Sequence, residues 1–437
     1  MKHFIVIVLS VLALGCKENL KYTASASYDS SSQLVEELLA LSEDKNYFKL
    51  QTKFTLKKEE LSKEHIHFFD AILFNVFNNP TASNKAISKI INSNKKTLAD
   101  SLLKTLYAKK INNHQRLYEY NEVAKTVTEM RSRFKSSLDS VEDSNFKNTY
   151  NLYHPLKSIT KQEIIIPSDI TIQMERDVAN LLNIETIFSD NKINMVFDTG
   201  ANISVIRKSY VDKLGMRLIE SDFSVGSATD IKVKSQMAIA EEFKIGEMTI
   251  KNALFMVLND DDLSFPQVPG GYDIYGIIGF PIIEAMREIH FTKENQLFIP
   301  KEPTEYMLNN FAIDGLIPII KTTYKEDVLT FGLDTGAETT SLFYPFYKKY
   351  KIDIDENNEK EKFGVGSAGG TQVYEGYKIN DINLKIADSS AVLNKIEVHI
   401  EKIKQDKVEL YGNIGQDYIT QFNKMILSFE HSSIVFE

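Results

Sequence analysis

Hydrophobic and polar positions divide the chain into two textures. From Gln33 to about Ser158, apolar residues recur at helical spacing, as in Leu34, Leu38 and Leu41, in Phe68, Ile72 and Val76, and in Leu98, Leu102 and Leu106. Such spacing lines up one face of a helix. Asn79-Pro80 reads as an N-cap followed by proline at the first helical position, opening a helix through Ala86, Ile87, Ile90 and Ile91 that Ser93-Asn94 separates from the next. Helices joined by short polar breaks predict antiparallel pairs, in a small bundle or a tetratricopeptide-like solenoid. Phe68, Phe69, Phe74 and Phe77 are expected in its core. After about Lys161 the pattern changes to short β-branched runs between turn residues, such as Ile164-Ile165-Ile166-Pro167, Ile193 to Phe197, Ile231-Lys232-Val233 and Ile434-Val435-Phe436. The expected architecture is multidomain, with an α-helical N-terminal domain over 33–158 and a mostly-β region after it.

The 437 residues suffice for two or three domains, and 43% hydrophobic with 25% charged is a globular composition. The net charge of −9 is uneven. Residues 17–160 hold 22 Lys and Arg against 17 Asp and Glu, whereas residues 161–437 hold 28 against 43. A body carrying that acidic excess repels phosphate backbones, so no nucleic-acid partner is expected for it.

The N-terminus reads as a processing segment. Met1-Lys2-His3 supplies a positive start, and Phe4 to Leu14 is an apolar run too short to span a bilayer. It ends in L-A-L-G-C, where Cys16 is the only cysteine of the chain. Gly15-Cys16 resembles a bacterial lipobox, with Ala13 where that pattern prefers leucine. The resemblance implies a lipoprotein signal peptide over 1–16, lipidation of Cys16 and a polar tether over 17–32. An ordinary secretory signal is the alternative. Lys17-Glu18 is similar to the surface-export signals of some Bacteroidetes lipoproteins. The implied location is the bacterial cell envelope, with a lipid anchor at the outer membrane or cell surface, the periplasmic side being the alternative. With Cys16 lipidated, the body has no thiol for a disulfide, a nucleophile or a metal site.

The β region also repeats itself. F-D-T-G-A at 197–201 has its counterpart in L-D-T-G-A at 333–337, an offset of 136. F-S-V-G-S-A-T at 223–229 matches F-G-V-G-S-A-G at 363–369, and G-I-I-G-F-P-I-I at 276–283 matches G-N-I-G-Q-D-Y-I at 412–419. Each segment closes on an apolar run, Ile289-His290-Phe291 and Leu427-Ser428-Phe429. Landmarks in one order at nearly constant offset predict two copies of one unit. Acid–base chemistry gives such a duplication a use. Two carboxylates about 3 Å apart cannot both ionise, so they share a proton and can act as general base and general acid on one water. A glycine after D-T lets the backbone turn tightly beside the carboxylate.

D-T-G-A after an apolar strand, a Gly-containing segment downstream and then I-I-G before a helix resemble the retropepsin-like aspartic peptidases. The resemblance spans roughly 180–300 and 316–437 and implies a bilobal acid-protease fold of two tandem retropepsin-like repeats, lobe 1 at 161–312 and lobe 2 at 313–437. It implies Asp198 and Asp334 as the catalytic pair. Thr199, Gly200, Thr335 and Gly336 would support the active-site loops. Gly226, Ser227 and Ala228, with Gly366, Ser367 and Ala368, would form flaps over an extended peptide. Ile278, Gly279, Ile414 and Gly415 would pack behind the loops. Two departures stand out. Asn413 occupies a position where the family has an apolar residue. Ala201 and Ala337 stand where pepsin-type enzymes carry a hydroxyl, and without that donor to the carboxylate a mildly acid pH optimum is expected.

Other chemistries find no support. The eight histidines show no HExxH spacing, and neither a G-x-S-x-G elbow nor a P-loop occurs. Asp260-Asp261-Asp262 lacks EF-hand spacing and reads as a solvated turn. No cofactor and no metal are expected. The expected function is an aspartic endopeptidase acting on a peptide or protein substrate as a monomer, its lipid on Cys16 meeting the membrane. A non-catalytic peptide- or cell-wall-binding lipoprotein of the same fold is the alternative, and the helical domain is a candidate for docking a protein partner.

Overall fold

The computed structural model describes residues 6–7, 30–93, 98–226, 232–266, 268, 270–367, 370–402 and 410–437. Cys16, Ser227, Ala228 and Ala368 lie outside the described residues. Two compact units emerge. One is helical and comprises Leu14–Lys161 with Ala312–Gly315; the other comprises Met1–Ala13, Gln162–Phe311 and Leu316–Glu437.

The helical unit contains α1 (Ser30–Glu43), α2 (Tyr47–Lys57), α3 (Lys63–Val76), α4 (Pro80–Ile91), α5 (Asp100–Arg116), α6 (Tyr120–Arg133) and α7 (Ser140–Tyr153). Its first helix takes in Ser30 to Ser32, the end of the expected tether, and serine is a residue that helix starts favour. Side chains satisfy the orphan N–H groups at four further starts, with Asn46 accepting from Lys49 N at that of α2. Ser62 accepts from His65 N, Asn79 from Ala82 N ahead of Pro80, and Asp139 forms a capping box with Glu142. Each helix packs on the next, and α3 also meets α5. Phe68 and Phe69 are buried edge to face, and Phe77 meets Phe48. Phe74 departs from the expected core position and is 38% exposed. Two residues past the buried Ile72 it has turned about 200° around the helix axis. A buried chain of hydrogen bonds runs from Asn75 to Asn113, from Asn113 to Ser83 and from Ser83 to the carbonyl of Ala71. Asp314, in the segment clustered with the helices, is held by Lys109 at 2.7 Å and Lys45 at 3.0 Å.

The β unit is built on strands whose registers recur. In its first half the strand Asn191–Phe197 runs parallel to Gly276–Ile278, which is antiparallel to Ser204–Arg207. In its second half Asp327–Leu333 runs parallel to Gly412–Ile414, which is antiparallel to Ser341–Leu342. Each half also has a long hairpin, Arg217–Gly226 with Lys232–Ile245 and Lys360–Ser367 with Gly370–Ile379. One strand from each half then pairs antiparallel across the unit, Glu288–Thr292 with Lys424–Ser428, inside a five-stranded sheet. The dipeptide Val6–Ile7 lies parallel to Val365–Gly366. Alternation of buried residues in Leu182–Phe188 and near-continuous burial in Asp327–Leu333 follow from strands with one or both faces covered.

Candidate active site

Asp198 and Asp334 each sit just past the end of a central strand and are 0% and 1% exposed. The backbone N–H of Asp198 donates to the carbonyl of Ile278 at 3.0 Å, and that of Asp334 donates to the carbonyl of Ile414 at 3.0 Å. Ile278 and Ile414 thus lie against the two loops. Gly279 N donates to the Ser204 hydroxyl at 3.0 Å, and Gly415 N to the Thr340 hydroxyl at 3.1 Å. At Gly279 and Gly415 a side chain would collide with the backbone of residues 201–203 and 339–340, so only glycine allows this approach.

The two loops are locked together. Thr199 N donates to the Thr335 hydroxyl at 3.0 Å, and that hydroxyl donates to the carbonyl of Phe197 at 2.9 Å. Reciprocally, Thr335 N donates to the Thr199 hydroxyl and the Thr199 hydroxyl to the carbonyl of Leu333, both at 3.0 Å. All four bonds are buried, where they contribute most to a single fixed arrangement. The interlock brings the carboxyls face to face. A Cβ on Gly200 would lie 2.6 Å from Cγ of Asp334, and a Cβ on Gly336 would crowd Asp198 as closely.

The carboxyls are not equivalent. Oδ1 of Asp198 accepts from Gly200 N at 2.7 Å and Ala201 N at 3.2 Å, while its buried Oδ2 meets no N–H or O–H donor among the described residues. Oδ1 of Asp334 accepts from Gly336 N at 2.9 Å, and Oδ2 accepts from Asn413 Nδ2 at 2.9 Å. Burial pushes Asp198 well above the ordinary carboxylate range, and the neighbouring Asp334 pushes it further. Burial also raises Asp334, but hydrogen bonds from Asp198, Asn413 and Gly336 pull it back. A carboxylate that accepts more donors holds its charge more readily, so Asp198 is the member that keeps a proton.

Gly226 ends one hairpin strand, while Gly366 and Ser367 lie at the tip of the other. Three features escaped the sequence reading. Ser204 and Thr340 stand six residues after Asp198 and Asp334, and that recurrence at offset 136 was a usable signal. Gln416 Nε2 donates to the carbonyl of Thr335 at 2.6 Å, for which the sequence offers no cue. Asn413 reads in sequence as a packing defect, yet its side chain folds over Gly332 onto Asp334.

Residues 184–282, within the first half of the β unit, match the model of a family described as aspartyl protease. The match includes Asp198 to Ala201 and ends beyond Gly279; Asp334 and its loop lie outside it. Among solved structures, a retropepsin-like aspartic protease from Rickettsia conorii matches with 21% identity over 32% of this chain and 94% of its own, at a TM-score of 0.22. No curated protein matches.

Proposed function

We propose that the chain is an aspartic endopeptidase whose two D-T-G-A loops come from tandem copies of one retropepsin-like unit and form a single site. The observation that carries this reading is the reciprocal threonine interlock, which sets two buried carboxyls of unequal proton affinity against each other. A pair of turns with a purely structural role has no need of two facing carboxyls, whose burial as charges is costly.

In the proposed reaction a water lies between the carboxyls. Asp334, held as carboxylate by Asn413 and Gly336, takes a proton from the water as it attacks the peptide carbonyl. Asp198 gives its proton to the carbonyl oxygen. The tetrahedral adduct then collapses, with a proton passing to the departing amine and the dyad returning to its singly protonated state. An extended peptide would pair its backbone with the two hairpins as an added strand. The enzyme would work as a monomer and without a cofactor. We further propose that Cys16 carries a lipid that anchors it in a bacterial cell envelope, and that the helical unit offers a surface to a protein partner.

The test is cleavage of a complex peptide library by the full chain across mildly acid pH, beside Asp198→Asn and Asp334→Asn. Each substitution is expected to lower the rate by at least about 10³-fold, because each removes one half of the acid–base pair. Activity that survives either substitution would mean that the loops are not one site. A folded wild-type chain that binds peptides and cuts none would point to a binding protein.

A further inference from the structure

Strand registers place a row of side chains on the sheet face that carries Asp334. Asn413 is paired with Gly332, which stands two residues before Asp334 on one strand, and on its other side with Ser341. Ser341 is paired with Glu397, and Glu397 with Lys378. Paired residues share a sheet face, as do residues two apart on a strand. Asn413, Ser341, Glu397 and Lys378 therefore run outward in line from the dyad. The corresponding row beside Asp198 is Val196, Ile277, Val205, Met256 and Met237, apolar throughout. The two halves thus present a polar, charged row on one side of the dyad and an apolar row on the other.

Glu397 is the unusual member. It is 4% exposed, and its one ion pair among the described residues, with Lys378, is 3.6 Å long, beyond ordinary hydrogen-bond length. Its buried Oε2 meets no hydrogen-bond donor among the described residues. Burial raises this carboxyl to about 7 against the opposing pull of Lys378. An acceptor left open in a buried site is costly, and the fold has a way to avoid it, since Met256 fills the matching position in the other half. The open oxygen is placed to accept from a donor on a bound substrate.

We propose that Glu397 is a specificity-determining residue that receives a basic side chain, lysine or arginine, from the substrate on the Asp334 side of the scissile bond. This inference rests on the endopeptidase reading of the dyad for its place in a cleavage reaction, but the geometry of Glu397 stands apart from catalysis. Lys378 competes with the incoming cation for the same carboxylate.

The test compares kcat/KM of the full chain on peptides that differ only in arginine or norleucine at one position. A second arm measures binding of the same peptides to the Asp198→Asn chain by fluorescence anisotropy. The wild type is expected to favour arginine at one position by about 10-fold or more, the effect of one charge-assisted hydrogen bond. Glu397→Gln, which keeps the shape, is expected to bring that ratio close to unity, and Lys378→Met to raise it. Thermal melts establish that both variants are folded. Cleavage without an arginine preference, or a preference that persists in Glu397→Gln, would overturn the role of Glu397 and leave the endopeptidase reading intact. Arginine-selective binding that depends on Glu397, with no cleavage by the wild type, would uphold the role of Glu397 and overturn the endopeptidase reading. Neither cleavage nor selective binding would overturn both.

Discussion

Asn413 makes the two aspartates different. Its amide donates to Asp334 Oδ2 at 2.9 Å and favours the charged form of that carboxyl. The substitution Asn413→Leu removes the donor, so the affinity of Asp334 for a proton rises. The acid limb of the pH–rate profile, which reports ionisation of the pair, is then expected to move to higher pH by about one unit. A profile of kcat/KM against pH for both proteins checks this; an unmoved acid limb would show that Asn413 does not tune the dyad. The side chain reaches Asp334 only because Gly332 leaves room for it. Sequence alone showed Asn413 as an exception to an apolar pattern, since nothing in a linear chain says that residues 332, 334 and 413 share one face. The hydroxyl-free Ala201 and Ala337 were legible directly, being read off the motif.

The interlocked loops depend on backbone groups that two threonines satisfy in trans. Thr199→Val keeps the volume and β-branching but leaves Thr335 N–H and the carbonyl of Leu333 without their buried partner. Each such orphan costs about 1–3 kcal/mol, so the unfolding free energy is expected to fall by roughly 2–4 kcal/mol. Urea denaturation at neutral pH measures it, and a loss below about 0.5 kcal/mol would place the hydroxyl outside the network. Strand and turn positions around these loops were readable because alternation, glycine placement and the recurring offset are local signals. The helices were readable from caps and spacing, with Asn79-Pro80 as an example. Phe74 was not, because its neighbours at positions 72, 73, 75 and 76 are all buried and only its angle around α3 turns it outward.

Two buried acids influence the stability of the whole β unit. Asp198 and Asp334 both have their pKa values raised on folding, so the native state binds more protons than the unfolded chain between the ordinary and the raised values. Stability from this source is present below the unfolded value and is lost as pH rises through the folded one. Asp198→Asn removes one of these groups, so its melting temperature is expected to exceed that of the wild type at about pH 7.5, by a margin that shrinks towards about pH 3.5. An equal margin at both pH values, in calorimetry of the two proteins, would contradict the assignment of a raised Asp198. On this larger view the division into a helical part and a β part followed from hydrophobic period, because a repeat near 3.6 and one near 2 bury one face only as helix and strand. The aspartates, threonines and glycines were legible because identical tetrapeptides recur. Which oxygen takes which donor, the place of Ala312–Gly315 with the helices and the contrast between the Glu397 and Met256 rows were not. These depend on which strands become neighbours and in what register, and contacts between residues tens to hundreds of positions apart arise only when the chain closes on itself.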